Sequence, residues 1–145
     1  MSLFAALSVS ASGLAAQRTR AELLAENLAN ADTTRTPAGG PYRRKDAVFA
    51  SQPVSSAFSS AFAAQLDSTL TGVAVTEIVE DARPPEKRYL PGHPDADAEG
   101  YVAFPRVNPA EDMVDLLGAA RGYQANLAAA SAIKDMIHRS IELLR

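Results

Sequence analysis

Two long stretches at opposite ends of the chain show helical periodicity, and they constrain the fold more than any other feature. In residues 3–31 and 108–145, apolar side chains recur in steps of three and four, which is the period of one face of an α-helix. Asn108 is a favourable N-cap and Pro109 suits a first helical position. At about 1.5 Å per residue the two helices would be roughly 40 and 50 Å long. Two such helices leave apolar surface uncovered, so we expect other copies or related chains to cover it.

The segment between the helices predicts a loop and then a small β region. The first part of residues 32–72 contains Pro37, Gly39, Gly40 and Pro41, a cluster that favours turns and cannot continue a helix. The segment continues as a Ser- and Ala-rich stretch for which a loop or a short helix both stay open. In residues 73–107, β-prone runs at 73–79 and 101–104 are expected to pair as a small hairpin with a long loop. The predicted fold class is therefore α+β.

Composition excludes several classes of function. The chain of 145 residues has a net charge of -3 and no cysteine, so no overall field favours nucleic acid and no thiol chemistry is available. Aromatic residues make up only 6% of the chain and much of its apolar content is Ala, so a monomer would have a thin core. No window reaches the roughly 18 to 20 uninterrupted apolar residues of a membrane span. No positive charge precedes the apolar N-terminal residues, so we expect mature sequence there rather than a cleaved signal peptide.

Clustered metal-ligand types occur only in the sequence HPDADAEG, residues 93–100. Its acids imitate the start of a calcium-binding loop, but Arg106 stands at the position that requires a bidentate Glu. A polar turn whose carboxylates accept hydrogen bonds from backbone amides is therefore predicted. The two histidines and the hydroxyl residues match no catalytic pattern, and we expect no enzyme activity, metal or cofactor.

A basic run, Arg43 to Lys45, follows Tyr42 and a Pro-Gly turn. Basic residues beside an aromatic ring can contact nucleic-acid phosphates and bases. Because the chain as a whole is acidic, a contact to another subunit is the preferred interpretation, and nucleic-acid binding the weaker alternative.

Two sequence segments resemble known proteins. ENLANADT, at the end of the first helical stretch, followed by GGPYRRK, resembles the signature of flagellar axial proteins, the rod, hook and related subunits of the bacterial flagellum. The segment YLPGHPDADAEGYVAFPRVNPAEDMVDLLGAARGYQANL is similar to subunits of the proximal rod. The resemblance covers residues 3–46 and 73–144 but not 48–70. Glu26, Gly122 and Ser131 depart from the residue types more usual in the family.

The resemblance implies a structural building block of a hollow rod that crosses the periplasm and transmits torque. The terminal helices would pair as a coiled coil that lines the tube, and the small insert between them, which contains a β-hairpin, would lie outside. The implied partners are copies of itself, other rod subunits, the rod-base adaptor at the membrane ring, and the flagellar type III apparatus that exports it without a cleaved signal. The implied domains are residues 1–31 and 108–145 as coiled-coil helices, 32–72 as linker and loop, and 73–107 as β insert.

The resemblance also implies roles for particular residues. A buried apolar seam between helices would comprise Leu7, Leu14, Leu24, Leu28, Met113, Leu116, Leu127, Ile137, Ile141 and Leu144. Register and subunit contacts would be set by Asn27, Asn30, Tyr123, Gln124 and Asn126, with further contacts from Tyr42, Arg43 and Arg44. The alternative function is a soluble helical adaptor that binds one partner through its terminal helices. A stable, fully helical monomer would favour the adaptor, and ends that become helical only in a polymer would favour the rod subunit.

Overall fold

The structure of the protein, a computed structural model, describes residues 3–53 and 71–143. Its elements in chain order are helix α1 (Leu3–Ala29), strands β1 (Lys45–Pro53), β2 (Thr71–Glu80), β3 (Glu86–Tyr89) and β4 (Tyr101–Phe104), and helix α2 (Pro109–Glu142). The α+β class and both long terminal helices are thus confirmed. Among the described residues, no helix is long and apolar enough to cross a membrane.

The chain groups into two compact units. The first comprises the described residues of 1–19, 49–76 and 119–145, and the second comprises 20–48 and 77–118. Each unit draws on both terminal helices, so residues distant in sequence form each of them. The division into four sequential domains stays a prediction.

The strands form two separate two-stranded sheets, β1 with β2 and β3 with β4. The predicted pairing of run 73–79 with run 101–104 is therefore wrong, although both runs are strands. Strand β1 lies inside the segment predicted as linker, and β3 inside the predicted loop. The amide of Asp81, just after β2, donates to the carbonyl of Arg44, just before β1, at 2.8 Å. The start of β1 thus meets the end of β2, which makes this sheet antiparallel.

Strands β3 and β4 pair antiparallel, with Glu86 opposite Phe104 and Tyr89 opposite Tyr101. The two tyrosine rings meet edge to face, with centroids 5.4 Å apart. Gly100 precedes β4 with a φ of 84°, and a Cβ there would lie 2.9 Å from the Tyr89 ring. Glycine is required at this turn both by its backbone conformation and by the close approach of the ring.

The predicted start of α2 is confirmed. The side-chain oxygen of Asn108 accepts a hydrogen bond from the amide of Ala110 at 3.2 Å, and the carbonyl of Asn108 accepts from the amide of Asp112 at 3.0 Å. Asn108 therefore caps the helix, and Pro109 begins it, where a missing amide hydrogen costs nothing.

Each unit has a small core. In the first unit Ala16, Ala119 and Ile133 are buried. In the second, Leu23, Leu24, Tyr42, Val102 and Phe104 are buried, as is Pro105. The thin core expected from the Ala-rich, aromatic-poor composition is what these residues form, so polar contacts carry much of the specificity of both units.

Candidate assembly interface

A buried polar cluster in the second unit joins the end of α1 to the start of β1. Asn27 is fully buried. Its Oδ1 accepts from the hydroxyl of Tyr42 and from the backbone amide of Lys45, both at 2.9 Å. Its Nδ2 donates to the carbonyl of Lys45 at 2.8 Å. One side chain thus satisfies both backbone groups of Lys45 and fixes the path from the helix into the strand, since buried polar groups must be paired.

Charged groups surround this cluster. Lys45 Nζ lies 2.6 Å from Glu26 Oε1 and 5.7 Å from the centre of the Tyr42 ring. Burial, with the nearby carboxylates of Glu26 and Glu80, raises the pKa of Tyr42 to about 12. The hydroxyl therefore keeps its proton, and its hydrogen bond to Asn27, throughout the physiological pH range.

Arg44 anchors the start of α2 within the second unit. Its Nη2 lies 2.9 Å from Oδ1 of Asp112, a side chain only 1% exposed, and its Nη1 lies 2.5 Å from Asp46. The Asp112 Oδ2 accepts no hydrogen bond from any described residue. The hydrogen bond to Asp112 and the charge of Asp46 raise the pKa of Arg44 in opposition to its burial. Asp112 thus depends on this one guanidinium for compensation of its buried charge.

The acidic segment of residues 93–100 is a polar turn, as predicted. Asp97 Oδ1 accepts from the amides of Glu99 and Tyr101, at 3.1 and 2.8 Å. Asp95 accepts from the Thr34 hydroxyl at 2.8 Å. No group of three or more metal-ligating side chains that could hold an ion occurs in residues 3–53 or 71–143.

In the first unit, α1 and α2 approach each other closely where a glycine on one helix faces an amide on the other. A Cβ at Gly13 would lie 2.8 Å from Asn126 Oδ1, and a Cβ at Gly122 would lie 3.1 Å from Gln17 Cδ. Asn126 Nδ2 donates to the carbonyl of Gly122 at 2.9 Å. As the α1 position rises from 13 to 17, its α2 partner falls from 126 to 122, so the helices run antiparallel here.

Helix α2 has two different faces. The side that the protein covers bears Asp112, Ala119, Asn126 and Ile133, which are seven residues apart and are buried or half-buried. One position further along and 14 residues apart, Met113, Leu127 and Ile141 are 53%, 52% and 60% exposed, and Ala120 and Lys134 stand between them in the same row. Large apolar side chains therefore form an exposed stripe beside a covered stripe that contains small and polar residues. We call the row of Met113, Leu127 and Ile141 the exposed stripe.

The structure distributes the predicted site residues among three environments. Buried residues are Leu24, Asn27 and Tyr42; half-buried ones are Leu7, Leu14, Leu28, Asn30, Arg44, Leu116, Asn126 and Ile137. Exposed ones are Arg43, Met113, Tyr123, Gln124, Leu127 and Ile141. Leu144 lies outside the described residues. Asn27 and Tyr42 hydrogen-bond to each other within one subunit, whereas Arg43 and the exposed stripe present exposed surface.

Three residues that take part in these contacts were not predicted from the sequence. Ser12 Oγ accepts from the amide of Val73 at 3.1 Å, Gln17 faces Gly122, and Asp112 pairs with Arg44. For Asp112 a signal was available: it lies seven residues before Ala119, which places both on the same face of α2. A Ser or a Gln inside an amphipathic helix has no comparable signature.

Comparison with known sequences defines the class of protein. The family described as "Flagella basal body rod protein" matches residues 7–35, and "Flagellar basal body rod FlgEFG protein C-terminal" matches residues 98–143. The first match falls on α1 and the turn that follows it, and the second on β4 and α2. The fold and these matches define a structural protein of the flagellar basal-body rod, not an enzyme.

Relatives that match the chain over nearly its whole length identify the family within this class of rod proteins. The chain is 41% identical to the flagellar basal-body rod protein FlgC of Bacillus subtilis, over 99% of both chains. It is 38% identical to FlgC of Borreliella burgdorferi, over 100% of this chain and 99% of the relative. It is also 38% identical to FlgC of Salmonella typhimurium, over 99% and 98%. The chain belongs to the FlgC family of flagellar basal-body rod proteins.

Proposed function

We propose that the protein is a proximal-rod subunit that assembles through its terminal helices into a hollow, torque-transmitting tube. The observation that carries this proposal is the exposed stripe of α2. Met113, Leu127 and Ile141 are each more than half exposed, and together they leave apolar area in water along one side of a 34-residue helix. Large exposed apolar patches in a soluble chain usually mark a protein contact.

The two faces of α2 have different roles in this proposal: one packs within the folded subunit, and the other contacts neighbouring subunits. The covered face pairs with α1 as a coiled coil within the subunit, which is supported by the seven-residue spacing of Ala119, Asn126 and Ile133. The exposed stripe lies about 100° around the helix from the covered one, since successive residues are about 100° apart. It therefore contacts helices of neighbouring subunits rather than those of its own chain.

The proposal includes the partners that the sequence resemblance implies. Copies of the chain and other rod subunits supply the helices that cover the exposed stripe, and the rod-base adaptor at the membrane ring contacts the lowest copies. The rod spans the periplasm, and subunits reach it through the flagellar type III apparatus without a cleaved signal. The N-terminal helix supports this last point, because Ser12 and Gly13 of α1 contact Val73 and Asn126 and so belong to the folded subunit.

The experiment is complementation of a non-motile bacterial strain that lacks its proximal-rod subunit of this family. The wild-type chain is expected to restore rods and swimming. Leu127→Asp is expected to leave the subunit folded and exported but to abolish rods, because each assembled copy would bury an unpaired carboxylate at a cost of several kcal/mol.

Ala128→Asp is the matched control. Ala128 is exposed, and the residues seven before and seven after it, Arg121 and Asp135, are both charged, whereas only Lys134 is charged at the same spacing from Leu127. This variant adds the same carboxylate one residue away, and swimming should be retained. Failure of the wild-type chain to restore rods would reject the proposed function, and normal swimming of Leu127→Asp would reject the exposed stripe as the contact.

A further inference from the structure

The second unit contains a cavity of about 130 Å³ whose wall includes four arginines, Arg43, Arg44, Arg83 and Arg106, and one acid, Asp81. The rest of the wall is formed by glycines and prolines of the turn before β1 and of the β2–β3 connection. The walls are therefore positively charged and largely without flexible apolar side chains.

Two of the four guanidinium groups are neutralised inside the subunit. Arg83 makes a bidentate contact with Asp81, because its Nε donates to Oδ1 at 2.9 Å and its Nη2 donates to Oδ2 at 2.6 Å. Its guanidinium lowers the pKa of Asp81 to about 2, mainly through these hydrogen bonds. Arg44 pairs with Asp112 and Asp46. These two arginines hold the cavity in shape and have partners already.

The other two guanidinium groups have no such partner. Neither Arg43 nor Arg106 forms an ion pair or a hydrogen bond with any described residue, and both are exposed. Arg106 acts on Asp81 only through its charge. Four guanidiniums thus face three carboxylates, Asp46, Asp81 and Asp112, and the uncompensated charge lies at the two exposed arginines.

We propose that this cavity receives a carboxylate side chain of an adjoining rod subunit, held by Arg43 and Arg106. The inference rests on the proposed function and adds the chemistry of one subunit contact. Guanidinium groups bind carboxylates through two parallel hydrogen bonds and are enriched at protein interfaces. A water molecule takes about 30 Å³ of liquid, so the cavity holds a carboxyl group and its methylenes but not a nucleotide.

Charge complementarity supports a protein carboxylate as the occupant. The chain has a net charge of -3, so each neighbouring copy presents more acids than bases. Glu99, for example, is exposed and forms no ion pair with a described residue. The contact is directional, because the cavity lies on one side of the interface and the acid on the other, which suits a helical polymer of identical or related subunits.

The test reverses the two free charges in the complementation strain described above. Arg43→Glu with Arg106→Glu is expected to reduce the swim diameter several-fold and the number of rods, while subunit amount and the thermal midpoint of the purified chain stay unchanged. Arg35→Glu is the control, since Arg35 lies in the same unit with its side chain 80% exposed and only a 3.8 Å contact to Asp95. It should swim normally.

Suppressors of the double variant identify the partner. Motile revertants are expected to replace an acid by Lys or Arg in this chain or in another rod subunit. Normal swimming of the double variant, or revertants that restore only the original arginines or raise expression, would overturn the proposal. So would a phosphate-dependent thermal shift of the purified wild-type chain that Arg43→Gln and Arg106→Gln remove without effect on swimming, because a free anion would then be the occupant.

The two proposals fail in distinguishable ways. If the wild-type chain does not complement the strain, the proposed function is wrong. If it complements and the double charge reversal does too, only the carboxylate contact is wrong.

Discussion

The side-chain amide of Asn126 fills the space beside the bare backbone of Gly13, where a Cβ would lie 2.8 Å from its Oδ1. The same amide donates to the Gly122 carbonyl at 2.9 Å. The pair thus allows α1 and α2 to approach closely in the first unit, and it places a polar group at a position seven residues from Ala119. In paired helices a polar group at such a position specifies register at a cost in stability.

Gly13→Ala is expected to destabilise the subunit by about 1 to 2 kcal/mol, although Ala is the better helix former by about 1 kcal/mol. The new methyl group forces Asn126 out of its hydrogen bond. In the background of Asn126→Ala the same substitution should become neutral or stabilising, because the clashing amide is gone. Urea unfolding of the four variants measures this coupling as a double-mutant cycle.

Gly118→Ala is the matched control for Gly13→Ala. No atom lies within 4 Å of a Cβ built at Gly118, so only helix propensity changes, and stability should rise by about 1 kcal/mol. If Gly13→Ala changed the free energy of unfolding equally with and without Asn126, the contact between residues 13 and 126 would contribute nothing to stability.

Tyr42→Phe is expected to cost about 1 kcal/mol at neutral pH, because it removes the hydroxyl that donates to buried Asn27. It should also change the response to alkali. The pKa of Tyr42 is raised from 10.0 to about 12 in the folded subunit. The stability that this shift contributes is complete below the unfolded pKa, and it is lost as pH rises from about 10 toward 12.

The measurement is the free energy of unfolding at several alkaline pH values, for wild type and Tyr42→Phe. The difference between the two proteins should narrow above about pH 10 and then reverse sign, because only the wild type loses this contribution, and a pKa raised from 10.0 to about 12 is worth more than the about 1 kcal/mol of the hydrogen bond. Tyr89→Phe, at an exposed ring in the same unit, controls for the titration of other tyrosines. A difference that stays constant with pH would contradict the prediction.

The helices could be predicted from the sequence because their signals are local. Helical periodicity and the Asn108 cap depend on residues within a few positions of each other. Strands β1 and β3 could not, because their hydrogen bonds go to partners that the sequence does not identify. Pairing across a long connection leaves no short-range pattern, and the Ser- and Ala-rich composition around β1 favoured a loop.

The predicted seam between the helices illustrates a second limit of prediction from the sequence. Periodicity indicated an apolar face on α2, and the family resemblance then implied that Met113 and Leu127 belong to a buried seam. Within the subunit the covered face instead bears Ala119, Asn126 and Asp112. Small residues are suited to close approach of backbones, so the face with less apolar volume is the one that pairs at short range. The role of Met113 and Leu127 between subunits stays a prediction.

Removal of Arg44 tests the anchor at the start of α2. Arg44→Leu should destabilise the subunit by about 3 to 5 kcal/mol, because Asp112 would keep a buried charge without compensation. Asp112→Ala in the Arg44→Leu background should recover much of that loss. Thermal unfolding by circular dichroism measures both effects.

Arg35→Leu is the contrasting variant. Its ion pair with Asp95 is long, at 3.8 Å, and its side chain is 80% exposed. Exposed pairs of this kind contribute about 0 to 1 kcal/mol, so the midpoint should hardly move. If Arg44→Leu lowered the thermal midpoint as little as Arg35→Leu, the buried charge of Asp112 would have to be compensated by another group.

Ser12 links α1 to β2 in the first unit through one hydrogen bond, from the amide of Val73 at 3.1 Å. Its hydroxyl donates in turn to the Val9 carbonyl at 2.7 Å. Ser12→Ala should therefore leave α1 intact but remove the acceptor of the Val73 amide. Hydrogen exchange at Val73 is expected to accelerate several-fold, and the global stability should fall by about 1 kcal/mol.

Ser8→Ala is the control, because Ser8 bonds only to the Phe4 carbonyl of its own helix. Unchanged exchange at Val73 in Ser12→Ala would mean that the amide is protected by the sheet alone, and that α1 does not depend on Ser12 for its place against β2.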